Sequence, residues 1–122
     1  MVSETYRTLT ESKSITATAG GASGDVLYTC PARSDAEVDM LFITNGGTST
    51  AKITIEFYHA DDTAYHNLVN DKSVSGNDTF NVLTNSILYL HAGDKLVAHK
   101  DSGATFDITV SAKEFYNPFR IT

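Results

Sequence analysis

The stretch 86–115, SILYLHAGDKLVAHKDSGATFDITVSAKEF, decides how the rest of the chain is read. From Phe106 the alternation is strict: Phe106, Ile108, Val110 and Ala112 fall on one face, and Asp107, Thr109, Ser111 and Lys113 on the other. A period of two with one apolar face is a half-buried strand. Two shorter runs precede it, 87–91 and 95–100, each closed by turn residues. Gly93 and Gly103 enter positive φ at no steric cost, and Asp94, Asp101 and Ser102 bond back to nearby backbone. The stretch therefore reads as three antiparallel strands joined by two tight turns, with no residue set for catalysis.

Further strands are expected at 14–18, 26–30, 38–44, 51–59, 64–69 and 79–83, with turn residues between nearly all of them. This rhythm belongs to an all-β antiparallel sandwich, in particular a jelly roll. No segment carries apolar residues at helical spacing over ten residues or more, so no substantial helix is predicted. Two hairpins are expected. Asn45-Gly46-Gly47 would reverse the chain between 38–44 and 51–59, with Ile53, Ile55 and Phe57 pointing inward. A reversal at Asp61-Asp62-Thr63-Ala64 would set His59 opposite His66. Residues 1–12 are polar apart from Tyr6 and Leu9 and read as an N-terminal arm, 13–115 as the sandwich domain, and 116–122 as a C-terminal tail.

Composition narrows the classes. At 122 residues with 41% hydrophobic and 20% charged content, the chain is one domain able to bury a core without disulfides or metals. Cys30, its only cysteine, lies in an apolar run and reads as a small buried hydrophobe. The net charge of −6 is spread along the chain and leaves no basic patch for a phosphate backbone, so no nucleic-acid partner is expected. The amino terminus has no apolar core of a signal peptide, and no run approaches a membrane span.

As a set, the strings 27–69, LYTCPARSDAEVDMLFITNGGTSTAKITIEFYHADDTAYHNLV, and 88–115, LYLHAGDKLVAHKDSGATFDITVSAKEF, resemble a family of small all-β virion proteins of tailed bacteriophages. The matching positions are Tyr28, Thr29 and Pro31, then Thr44 and Asn45, Tyr65 and Leu68, and Leu90, Gly93, Asp94 and Leu96, followed by 108–114. The resemblance implies a non-enzymatic structural protein of the virion, first of all capsid decoration or cement, with a tail or neck accessory role as the alternative. It implies self-association, with a trimer expected at a local threefold, and docking on the major capsid protein or another virion protein. Synthesis would be in the host cytoplasm and residence in the virion.

Several constellations compete with that reading. His59 and His66, as cross-strand neighbours, are the best metal candidates, although zinc needs three or four ligands and only Asp61 or Asp62 could complete the set locally. Two exposed histidines is the simpler reading, and no metal or cofactor is expected. Asp35, Glu37 and Asp39 alternate along a strand and offer a docking face for a basic partner, since same-face spacing near 6.6 Å is too wide for one calcium shell. No nucleophile-and-base motif is present. Tyr58, Tyr65 and Tyr89 would be the platform of a carbohydrate-binding module. The expected interface residues are Tyr6, Leu9, Phe115, Tyr116, Pro118, Phe119 and Ile121, because aromatics crowded at chain ends are natural anchors in a neighbouring subunit.

Overall fold

Turn residues cut the chain into nine strands in the computed structural model, which describes residues 5–119. They are β1 (Thr5–Ser14), β2 (Asp25–Thr29), β3 (Ser34–Asn45), β4 (Ala51–His59), β5 (Ala64–Val74), β6 (Thr79–Asn81), β7 (Leu88–His91), β8 (Lys95–Lys100) and β9 (Phe106–Tyr116). Among the described residues the only helical turn is a short 3-10 segment, Gly21–Ser23.

The first half of the chain pairs with the second half in reverse order. β1 pairs with β9, β2 with β8, β3 with β6 and β7, and β4 with β5, all antiparallel. This folded-back ribbon then rolls up, because β9 also pairs with β3 and β8 with β4. Two sheets result: β1-β9-β3 with β6 and β7 along the far edge of β3, and β2-β8-β4-β5. A long antiparallel ribbon wrapped into two facing sheets is a jelly roll.

The inner faces hold the core. Val38, Leu41 and Ile43 of β3, Ile53 and Ile55 of β4, Leu96 and Ala98 of β8, and Phe106 and Ile108 of β9 are each 1% exposed or less. Burying each large side chain stabilises the fold by roughly 1.5 to 3 kcal/mol. Along β3 the inward set changes phase, from Ser34, Ala36 and Val38 to Leu41, Ile43 and Asn45. The register shift between Val38 and Met40 opposite β9 is the cause: a bulge adds one residue and lets a long strand keep its apolar side inward.

Four sequence expectations change. Residues 14–18 do not form a separate strand; β1 ends at Ser14 and Ile15 continues as a core-anchored connection. From Thr5 onward the expected N-terminal arm is β1, an edge strand in register with β9 over ten residues, so the sandwich begins well before residue 13. Its alternation was hidden because the face toward the sandwich carries Arg7, Leu9, Glu11 and Lys13 rather than an apolar row. The 45–50 turn and the turns at Gly93 and Gly103 are not hairpins but crossings from one sheet to the other. At the first of these, Gly46 and Gly47 do not adopt positive φ. The Asn45 side chain shapes it instead, donating to the carbonyls of Ser49 and Val74 at 2.9 Å and accepting from Gly47 N–H at 2.9 Å.

Candidate functional site

The outer face of the first sheet is built from cross-strand rungs spanning β1, β9, β3 and β7. One rung runs Tyr6, Phe115, Asp35, His91, and the next Thr8, Lys113, Glu37, Tyr89. Directly opposed side chains on one face interact, so these eight residues form one surface. Tyr6 stacks on Phe115 with ring centroids 5.8 Å apart, and the Lys113 ammonium lies 5.7 Å from the Tyr6 ring. Asp35 Oδ1 meets His91 Nδ1 at 3.0 Å. Tyr89 is 62% exposed, and a shallow depression of about 570 Å³ lies between it and Phe115, over Asp35 and Glu37. Farther along the sheet the rungs turn hydroxylic, with Thr10 bonded to Ser111, Ser12 to Thr109, and Ser14 to Asp107.

The sequence-expected residues are thus partly gathered. Tyr6, Phe115, Asp35 and Glu37 share this surface, whereas Tyr116 follows Glu114 in the inward row and stands exposed at the open end of the sandwich, beside Tyr6 and Arg7. Asp39 is displaced by the β3 bulge into a neighbouring depression of about 450 Å³ lined by Leu83, Asn85, Ile87 and Tyr89. Leu9 faces inward, half-buried against the core. The tail turns back along the 31–33 loop: Asn117 N–H donates to Arg33 O at 3.0 Å, and an Arg33 guanidinium N–H donates to Pro118 O at 3.2 Å. Phe119 projects from it, 66% exposed. Ile121 lies outside the described residues.

Beneath the surface is a polar contact that sequence reading missed. Glu114 continues the inward set Phe106, Ile108, Val110, Ala112 by one step and is buried. A carboxylate there needs partners. Arg7 Nε donates to it at 2.8 Å, and the Tyr28 hydroxyl donates to its other oxygen. Burial, followed by the bond to Glu114, holds the Tyr28 hydroxyl well above the usual phenol range, so it stays protonated. The signal was available in the strict alternation of β9, since the next inward slot after Ala112 falls on an acid.

At the same end of the sandwich, Asp94 is buried and ties two connections together. Its carboxylate accepts from Ala60 N–H and His91 N–H, both at 2.9 Å, and lies 3.4 Å from His59 Nδ1. Gly93, at φ +88°, donates its N–H to Cys30 O, while Cys30 N–H donates to Asp94 O. The Gly93-Asp94 turn therefore docks on the end of β2, and Cys30 is buried among backbone carbonyls.

Two alternative groupings are not formed as the sequence placed them. Across the β4–β5 hairpin His59 faces Ala64, and His66 faces Phe57, so the histidines are not a cross-strand pair. His66 binds Asp62 at 3.2 Å while His59 turns to Asp94. Among the described residues no group of three or more His, Cys, Asp or Glu is placed to hold a metal ion. The three tyrosines do not share a platform either. Tyr58 and Tyr65 pack as a cross-strand pair at 4.7 Å on the second sheet, with Lys95 over Tyr58, whereas Tyr89 is on the first sheet.

The surface carries groups suited to binding: carboxylates accept hydrogen bonds and attract cations, and exposed rings gain by losing water. No protein-family model and no curated protein matches the chain. Among solved structures, a Bacillus endospore appendage from a family of disulfide-linked pili is similar over 94% of this chain and 88% of its own, at 16% identity and TM-score 0.51. A chain of infectious bursal disease virus strain Gx is similar at 12% identity and TM-score 0.54. That likeness covers 93% of this chain, which spans about a third of the viral one (32%). At these identities the likeness is one of fold.

Proposed function

We propose that this chain is a non-enzymatic structural subunit of a bacteriophage particle, decorating or cementing the capsid by self-association and by docking on the major capsid protein. The observation that carries the reading is the gathering of Tyr6, Phe115 and Tyr89 with Asp35 and Glu37 on one outer sheet face, beside the exposed Tyr116 and Phe119. Solvent-accessible rings flanking a charged floor on one sheet face form a patch suited to a protein partner. Two neighbours in fold, a pilus and a virus, support use of this jelly roll as a building part. The acidic floor fits a basic docking surface.

The test is light scattering on the pure chain together with co-sedimentation on capsids encoded beside it. A defined oligomer, with a trimer expected, that sediments with the shell supports the reading. Tyr89→Ser should cut occupancy about tenfold, as loss of an anchor does, with melting little changed because Tyr89 is 62% exposed. A monomer that binds no particle overturns it, and binding confined to tails or necks moves the protein to the accessory role.

A further inference from the structure

We propose that β1 is exchanged between copies of this chain, so that the edge of β9 in one subunit receives Thr5–Ser14 of another. The inference specifies how the subunit proposed above associates with itself, and it rests on that reading.

β1 is an unusual strand. It keeps register with β9 over ten residues, yet from Tyr6 to Ser14 no side chain is buried and only Leu9 is half-buried. Its inward side overhangs an open depression of about 380 Å³ lined by Glu11, Lys13, Val26, Leu27, Ile108 and Val110. What holds it is matched chemistry along a single seam: Arg7 on Glu114, Tyr6 on Phe115, and the hydroxyl rungs Thr10–Ser111, Ser12–Thr109 and Ser14–Asp107. Every one of these partners lies on β9. A strand supplied by a second copy makes the same contacts, so exchange conserves them all and costs chiefly the freedom of the joined subunits.

The seam also states which occupant fits. Glu114 is a buried carboxylate and needs Arg7 or its equivalent, which an arbitrary edge strand does not carry. The hydroxyl rungs likewise select this sequence in this register. Past β1 the chain holds on by Ile15, which is buried and donates its N–H to Phe106 O, and by Thr16 and Ala17, whose N–H groups reach Asp25 at 2.6 and 3.1 Å. Ala17 O also accepts from Lys100 N–H at 3.0 Å, Thr18 and Ala19 then run exposed, and the chain is fixed again at Gly21, whose N–H donates to Glu56 Oε1 at 2.8 Å. Segment 5–17 can therefore leave as a unit, hinged at the exposed Thr18 and Ala19. Exchange joins copies at the hinge end of the seam, where Ser14 meets Asp107, and leaves Tyr6, Tyr116 and Phe119 exposed at the opposite end.

Ser12→Cys with Thr109→Cys, in a Cys30→Ala background, places two thiols on one rung where the wild-type oxygens are 2.6 Å apart. The assembled protein is oxidised, denatured without reductant and sized by electrophoresis, with light scattering on the native sample. Exchange predicts a shift of the band to twice the chain mass or higher multiples, reversed by reductant. A single-mass band from an oligomeric sample overturns the exchange and leaves self-association standing. A single-mass band from a monomeric sample overturns both. Thr10→Cys with Ser111→Cys on the adjacent hydroxyl rung repeats the measurement should the first pair disturb folding.

Discussion

Two turns at one end of the sandwich read alike in sequence and behave differently in the fold. Asp61-Asp62-Thr63 joins β4 to β5 within one sheet, and Asp62 serves only its own turn, accepting from Ala64 N–H at 3.0 Å and from His66. Ala92-Gly93-Asp94 carries the chain from β7 in the first sheet to β8 in the second, and Asp94 is 2% exposed. Its carboxylate accepts from its own turn at His91 and from the β4–β5 turn at Ala60. The same residue type thus closes a local reversal in one case and fastens two distant connections in the other. Burial separates the two: an exposed carboxylate has water as a substitute partner, and a buried one does not.

The largest effect should come from Asp94→Ala, which strands two backbone donors and costs about 3 kcal/mol. Urea denaturation of this variant beside Asp62→Ala tests the contrast, since the latter should leave the midpoint at the wild-type value. Equal midpoints would erase the distinction. Gly93→Ala comes next, at about 1 to 2 kcal/mol, because φ +88° disfavours a side chain and the new Cβ would sit 3.1 Å from Ala60 Cβ. A loss well below that would mean the two turns are not tightly packed.

Tyr28→Phe extends the contrast to the other buried carboxylate. It removes one of two donors to Glu114 and should cost about 1 kcal/mol, measured the same way. The smallest effect is in pH. Burial raises the Asp25 carboxyl, but the N–H groups of Thr16 and Ala17 outweigh it and hold the group below its ordinary value of 3.8. A depressed folded pKa gives stability that is present above the ordinary value and lost as pH falls through the folded one. Asp25→Asn should therefore flatten the loss of stability between about pH 5 and 3 relative to wild type. An unchanged acid limb would show that Asp25 does not anchor the 15–17 connection.

Strand positions were legible where one face is dry. β4 and β8 fall at the expected residues, and β9 within one, because the inward rows carry Ile53, Ile55 and Phe57, then Leu96 and Ala98, then an apolar run from Phe106 that lasts until Glu114. β1 was not legible, because its inward positions carry Arg7, Glu11 and Lys13 and its stability comes from a partner some hundred residues away, with Arg7 to Glu114 at a separation of 107. Of the candidate surface, Tyr6, Phe115, Asp35 and Glu37 were named from local pattern. Their union with Tyr89 and His91 depends on β3 lying between β9 and β7.

Local residue pattern was enough to show an all-β chain, the bounds of β4 and β8 and the dry side of β9, but it started β3 four residues late and stopped β5 five residues early, because steric preference and period-two alternation act over a few residues. Which strands are partners became visible only in the folded chain. Asn45-Gly46-Gly47 and Gly93-Asp94 have the residues of hairpin turns yet carry the chain between sheets, since a turn fixes a reversal of direction and not the sheet in which the next strand finds its hydrogen bonds. That choice follows from burying both apolar faces at once, a condition no local window contains.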